Sequence, residues 1–129
     1  MSFPDDLKYT KQHEWVRVEG NIATIGITDF AQNQLGDIVF VELPEKGEAV
    51  KKGEPFGVVE SVKAVSDVYS AVTGKVLEIN DSLNESPETV NEDCYGEGWI
   101  IKVEMNNPKE LDALMDNEKY TSFTNEEAA

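Results

Sequence analysis

The sequence predicts a single domain of mainly β class, a compact sandwich or barrel carrying short helices. Three observations carry that expectation. Short runs rich in Val, Ile and Phe recur along the chain, separated by turns bearing Gly or Pro. Hydrophobic residues make up 40% of 129 residues, enough for one core in a chain too short for two. The single cysteine, Cys94, excludes an internal disulfide, so the fold rests on packing and suits a reducing compartment.

Trp15 to Glu19 reads as a strand, Gly20-Asn21 as a two-residue turn that tolerates positive φ, and Ile22 to Ile27 as the returning strand. Thr28 is placed to cap a short helix over Asp29 to Leu35, with Gly36 as its left-handed stop. The β signal resumes over Ile38 to Leu43, Phe56 to Glu60, Asp67 to Val72 and Lys75 to Ile79. A faint repeat crosses this region. Gly36-Asp37-Ile38-Val39 resembles Gly74-Lys75-Val76-Leu77, and Val50-Lys51-Lys52-Gly53 is echoed by Val90-Asn91-Glu92-Asp93. Two similar halves would place residues 61–66 near a pseudo-two-fold axis. Ser86-Pro87-Glu88 and Asn107-Pro108-Lys109-Glu110 each read as a helix start, a capping residue followed by Pro at the first helical position. Leu111, Leu114 and Met115 then fall on one face, and a further short helix runs through Tyr120 and Phe123.

Charge and missing chemistry exclude several functions. Eleven Lys plus Arg against 26 Asp plus Glu leave a net charge of −15, a field that repels nucleic acid and anionic membranes. The start, Met1 to Asp6, lacks the basic patch and apolar run of a signal peptide and is too acidic for a transit peptide. With no run of roughly 18 apolar residues, a soluble cytoplasmic protein is expected. His13 is the only histidine, which leaves little for acid–base catalysis. His13-Glu14 is followed by Arg17 where a zinc-protease helix needs a second His, and Gly96-Glu97-Gly98 lacks the third glycine of a dinucleotide loop. The carboxylates lack calcium-loop spacing, so no metal is expected. Between Lys75 and Lys102 the acids Glu78, Asp81, Glu85, Glu88, Glu92, Asp93 and Glu97 face no basic residue. That series is either a solvated face or a docking face for basic partners.

Lys63 is different in kind. It lies in Glu60-Ser61-Val62-Lys63-Ala64-Val65-Ser66-Asp67, between two β runs, where a tight hairpin presents it at the tip. Most lysines in turns are simply solvated. The apolar neighbours Val62 and Ala64 are an odd choice for a solvent loop but suit a place where another protein docks to reach one amine.

Glu60-Ser61-Val62-Lys63-Ala64, with Glu three before the lysine and Gly74 eleven after it, resembles the lipoylation site of lipoyl-carrier domains. His13-Glu14-Trp15-Val16, Gly26-Ile27-Thr28, the run from Leu35 to Pro44, Val90-Asn91 and Gly98-Trp99 widen the likeness to the H proteins of the glycine cleavage system. It spans roughly Leu7 to Phe123 within one domain of residues 1–129, leaving 124–129 as a frayed acidic tail. Two positions depart from the family pattern: Gln34 stands where members often carry His, and Gln12 where a small Ser is common.

The resemblance implies a lipoyl-domain-like hybrid of two antiparallel sheets, a barrel-sandwich, with the modified lysine on a hairpin tip and a C-terminal helix packed outside. It implies a non-catalytic, monomeric carrier with one lipoate in amide linkage to Lys63, an arm of about 14 Å by standard bond lengths. Its partners would be a pyridoxal-phosphate glycine decarboxylase that loads an aminomethyl group, a tetrahydrofolate-dependent aminomethyltransferase that unloads it, and dihydrolipoamide dehydrogenase, which reoxidises the dithiol. Glu60 and Gly74 would serve the lipoylating enzyme, and Glu14 and Asp67 would lie near the loaded arm. Three other readings differ at identifiable features. A biotinyl carrier has Met on both sides of its lysine, a lipoyl domain of a 2-oxoacid dehydrogenase precedes Pro/Ala-rich linkers, and an unmodified acidic binding module carries no arm.

Overall fold

The computed structural model describes residues 1–128 and contains two antiparallel sheets. The larger has six strands in the order β1 (Lys8–Tyr9), β2 (Glu14–Glu19), β3 (Ile22–Ile27), β9 (Ile101–Met105), β8 (Gly74–Ile79), β5 (Ala49–Val50). The smaller has β4 (Ile38–Glu42), β6 (Pro55–Ser61) and β7 (Val65–Tyr69), with β6 central. The hairpin expected around Gly20-Asn21 forms in register from Glu14↔Ile27 to Glu19↔Ile22, and Gly20 takes φ 62°. Helix α1 (Asp29–Leu35) follows, with Thr28 Oγ1 accepting from Ala31 N–H (3.2 Å) and Gly36 at φ 80°. The cap forms as expected, whereas Gly36 ends the helix at positive φ but with ψ −158°, an extended glycine conformation instead of the left-handed helical stop.

The core lies between the sheets, where Val16, Ile25, Val59, Val68, Val76 and Val103 belong to one buried cluster. A second cluster joins Leu7, Tyr9 and Trp15 to Tyr120 of the C-terminal helix α3 (Asn117–Ala128). Tyr9 and Tyr120 stack with centroids 4.6 Å apart, and Trp15 Nε1–H donates to the Cys94 carbonyl (2.9 Å). Trp15 lies against Gly26 across the β2–β3 ladder, where an added Cβ would sit 2.7 Å from the indole, so only glycine admits the ring. The helix is therefore packed outside the larger sheet, as the resemblance implied.

Several sequence expectations need correction. Strand β9 was not anticipated, although Ile101, Val103 and Met105 are buried and alternate with Lys102 and Glu104 at the strand period. It is the link between β3 and β8. Strand β7 spans Val65–Tyr69 instead of Asp67 to Val72, because Ser70 turns the chain, its Oγ donating to the Val72 carbonyl. The turn at Ser86-Pro87 leads into α2 (Thr89–Glu92) only at Thr89, whose N–H donates to the Ser86 carbonyl (3.1 Å). Asn107 caps a 3-10 helix, Pro108–Ala113, with its side chain accepting from Lys109 N–H. Leu111 and Leu114 pack on the main core while Met115 joins the aromatic cluster, so the expected single apolar face is split. Residues 124–127 are not a frayed tail: α3 continues through them, Thr124 is buried, and Glu127 Oε2 lies 2.7 Å from His13 Nε2. Ala129 lies outside the described residues. The repeat is half real. Its first pair opens β4 and β8, one in each sheet, but its second puts Val50 at a strand end and Val90 in a helix.

Candidate functional site

Lys63 projects from the turn joining β6 to β7. Two-residue hairpin turns usually need positive φ, yet among the described residues the only non-glycine with positive φ is His13. Ser61 supplies what glycine otherwise would. Its N–H donates to the Ala64 carbonyl (2.8 Å), while its Oγ accepts from Lys63 N–H (3.3 Å) and Ala64 N–H (3.1 Å). A buried serine thus ties both ends of the turn together by side-chain to backbone bonds. The signal for this role in the sequence is a Ser at the strand-to-turn step.

The turn is also anchored sideways. Val62 N–H donates to the Asp37 carbonyl (3.1 Å), and the Lys63 stem runs over Gly36, where an added Cβ would lie 3.6 Å from Lys63 Cε. Asn91 of α2 holds that segment, donating to the Gly36 carbonyl (2.9 Å) and Gln32 Oε1 (3.0 Å) and accepting from Ile38 N–H (2.8 Å). Val90-Asn91, noticed only as a likeness, is therefore the brace of the lysine's base. Lys63 itself is exposed and forms no ion pair among the described residues. The result is a free primary amine on a rigid mount, the donor that an amide-linked group requires.

Glu60 is half-buried in β6 between Phe40 and Val65 of the flanking strands. Gly74 is elsewhere. It opens β8 in the larger sheet, buried opposite Met105, and an added Cβ would stand 2.0 Å from the Glu104 carbonyl oxygen. The fold alone explains why position 74 is glycine.

Glu14 and Asp67, expected together, differ sharply in environment. Asp67 is exposed in mid-β7 with no side-chain hydrogen bond among the described residues. Glu14 is 1% exposed, accepting from Thr10 Oγ1–H (2.6 Å) and from Tyr69 N–H (3.2 Å) at the end of the same strand. Burial pushes its carboxyl from the ordinary 4.5 up to about 7, with the two hydrogen bonds opposing the rise. A cleft of about 260 Å³ lies beyond Thr10, lined by Thr10, Lys11, Gln12, Lys52 and Ser70 among others, and Glu14 stays behind its wall. Gln12 and Gln34, the two departures, are both exposed.

The raised carboxyl gives a stability prediction. The folded state holds the Glu14 proton more tightly than the unfolded chain, so this contribution is complete below pH 4.5 and is lost as pH rises to about 7. The loss is on the order of 3 kcal/mol for that shift. Glu14→Gln keeps an acceptor and a donor without a charge. Urea denaturation should show variant and wild type diverging between pH 4.5 and pH 8, with the variant the more stable at the alkaline end. Parallel pH profiles would refute it.

The remaining reactive groups are held in place by packing. Among the described residues no His, Cys, Asp and Glu cluster could bind a metal. His13 contacts Tyr120 Oη through Nδ1 (2.8 Å), and that hydroxyl is 2.6 Å from Thr28 Oγ1. Cys94 is buried, and burial pushes its thiol up to about 12.

Comparison with known proteins decides the family. The profile described as Glycine cleavage H-protein matches residues 7–127. The chain belongs to the glycine cleavage H-protein family. A glycine cleavage system H protein of Symbiobacterium thermophilum is 63% identical over 123 residues, covering 95% of this chain and 96% of its own. Another, from Carboxydothermus hydrogenoformans, is 59% identical over 124 residues, covering 96% and 95%. The crystal structure of an H protein from Mycobacterium marinum superposes with a TM-score of 0.88 at 36% identity, covering 95% of this chain and 99% of that one. Members of this family are lipoyl carriers, subunits that bear covalent lipoate and have no catalytic activity of their own. They act with the other components of the glycine cleavage system. Among the described residues no helix is long and apolar enough to cross a membrane.

Proposed function

We propose that Lys63 is the residue that carries lipoate, and that residues 1–129 work as one monomeric carrier domain in the cytoplasm of a bacterium. The observation that supports Lys63 above any other lysine is its mount: an exposed, unpaired amine on a turn fixed by Ser61, Asp37 and Gly36. Lipoate there supplies a disulfide that takes up the aminomethyl group and a dithiol that must afterwards be reoxidised. Three enzymes share the tip: a pyridoxal-phosphate glycine decarboxylase, a tetrahydrofolate-dependent aminomethyltransferase and dihydrolipoamide dehydrogenase. A short tether keeps the cargo at an effective concentration around millimolar for each of them. Digestion and peptide mass mapping after incubation with lipoate and its ligase should place one lipoyl increment on the Lys63 peptide. An unmodified Lys63 peptide would refute the reading.

Glu60 faces the lipoylating enzyme from β6 in this proposal. Glu14 and Asp67 are assigned to the cargo's amine. An ammonium that displaces the Thr10 hydroxyl from Glu14 would meet a carboxyl poised near neutrality, and each charge would favour the other. The protonated nitrogen has no lone pair with which to expel sulfur, so the cargo stays in place.

The seven acids from Glu78 to Glu97 are all exposed, although Glu78, on β8, meets Lys102 (3.9 Å) across the ladder. Asn91 ties α2, which carries Glu92, to the base of Lys63, and that tie supports the docking reading over plain solubility. Association with the decarboxylase is then expected to slow as salt rises, since screening shortens the field to roughly 8 Å at physiological ionic strength. Changing Glu85, Glu88 and Glu92 to Gln should raise KM for this carrier several-fold and leave kcat near normal. A salt-independent association rate would assign these acids to solubility.

A further inference from the structure

The outer face of the small sheet carries a feature that lipoyl attachment alone does not explain. Strand β4 departs from strand alternation: Ile38 and Val41 are buried, but Val39 and Phe40 between them are both exposed, at 54% and 47%. The cause is a bulge, since Ile38 pairs with Ser61 and Phe40 with Glu60, leaving Val39 without a partner residue. Beyond the bulge the cross-strand row Phe40–Glu60–Val65 lies on the face opposite the buried Val41 and Val59. Val65 is 67% exposed, and Val62 beside the lysine is 70% exposed. The next row on the same outer face, Glu42–Val58–Asp67, frames the patch with two exposed carboxylates. A lone exposed valine needs no explanation, but an aromatic and three valines gathered around one amine do.

The geometry points to this patch as the docking surface of the enzyme that acylates Lys63, a partner that presents an apolar recess edged by Lys or Arg. The inference rests on Lys63 being the attachment residue. Charge complementarity sets the partner's cations, because Glu60 stands between Phe40 and Val65 while Glu42 and Asp67 border the patch in the next row. Reach selects which partner. Before modification the lysine side chain extends roughly 6 Å beyond its Cα by standard bond lengths, so an enzyme that takes Nζ into its active site must close over Val62 and Val65. After modification the tether is more than twice as long, and later partners need not touch the patch. In a ligase reaction with ATP as co-reactant the acyl group arrives activated, as an acyl adenylate. Unprotonated Nζ attacks the carbonyl carbon, the amide C–N bond forms, the carbonyl–phosphate bond breaks, AMP leaves and the nitrogen sheds its proton.

The test compares two reactions of the full-length chain. Wild type, the double variant Phe40→Thr with Val65→Thr, and the control Val18→Thr, which is 37% exposed on β2 of the other sheet, are incubated with lipoate, ATP and a lipoate–protein ligase and followed by intact mass. The double variant should lose about tenfold in kcat/KM, through KM, while the control stays within about twofold of wild type. Samples driven to full lipoylation should then turn over alike in reconstituted glycine cleavage. Lipoylation of the double variant at the wild-type rate would overturn the docking assignment. A loss in glycine cleavage as large as the loss in lipoylation would also overturn it, since the patch would then serve the later partners. Failure of wild type itself to gain mass on the Lys63 peptide would instead remove the attachment reading beneath it.

Discussion

Lys63→Arg is expected to fold like wild type and to carry no lipoate. The guanidinium keeps the positive charge but remains protonated and is no acyl acceptor at neutral pH. The side chain is exposed without an ion pair, so the stability change should stay within about 0.5 kcal/mol. Glycine cleavage, in contrast, should fall by roughly 10³ or more, the scale of loss when a tethered group must be replaced by one free in solution. Intact mass after exposure to ligase, urea denaturation and turnover in the reconstituted system check the three parts separately. Full activity in the variant would place the attachment elsewhere.

Gly74→Ala should produce the largest structural effect of any single methyl in the small-residue positions. The added carbon would stand 2.0 Å from a backbone oxygen and 2.8 Å from Val103 Cγ1. A backbone carbonyl held in the β8–β9 ladder cannot rotate away as a flexible side chain would, so the ladder must open at Gly74↔Met105. The expected cost is on the order of 3 kcal/mol, the upper end of what overpacking typically costs. Thermal unfolding and amide exchange of β8 and β9 measure it. A variant of wild-type stability that is lipoylated more slowly would return Gly74 to the recognition role that the sequence suggested.

The contrast between these two residues shows what the sequence could carry. Lys63 was legible because the turn that presents it is closed locally, by Ser61 to Lys63 and Ala64, whereas its sideways anchors at Gly36, Asp37 and Asn91 come from distant segments. The packing constraint on Gly74 was not legible, because it comes from Glu104, thirty positions away and on a strand the local pattern did not announce. The alternation of Ile101, Val103 and Met105 was a sufficient signal for that strand. Glu14 was identified as a candidate, but its burial depends on the meeting of β2 with Tyr69, which no local pattern encodes. The bulge at Val39 was equally silent: Ile38 to Val41 reads as a continuous apolar run, and only the register with β6 shows which residues it turns outward.

The placement of Cys94 bears on redox fidelity. A protein that holds a dithiol on a mobile tether is its own nearest target for thiol–disulfide exchange, because any thiolate within reach could trap the tether as a mixed disulfide. Cys94 is buried against the domain with its backbone carbonyl bound to Trp15, and burial that pushes its thiol up to about 12 keeps it in the unreactive thiol form at neutral pH. Being the only cysteine, it leaves the domain without a competing nucleophilic sulfur. Exchange at the tether is then governed by whichever enzyme has docked.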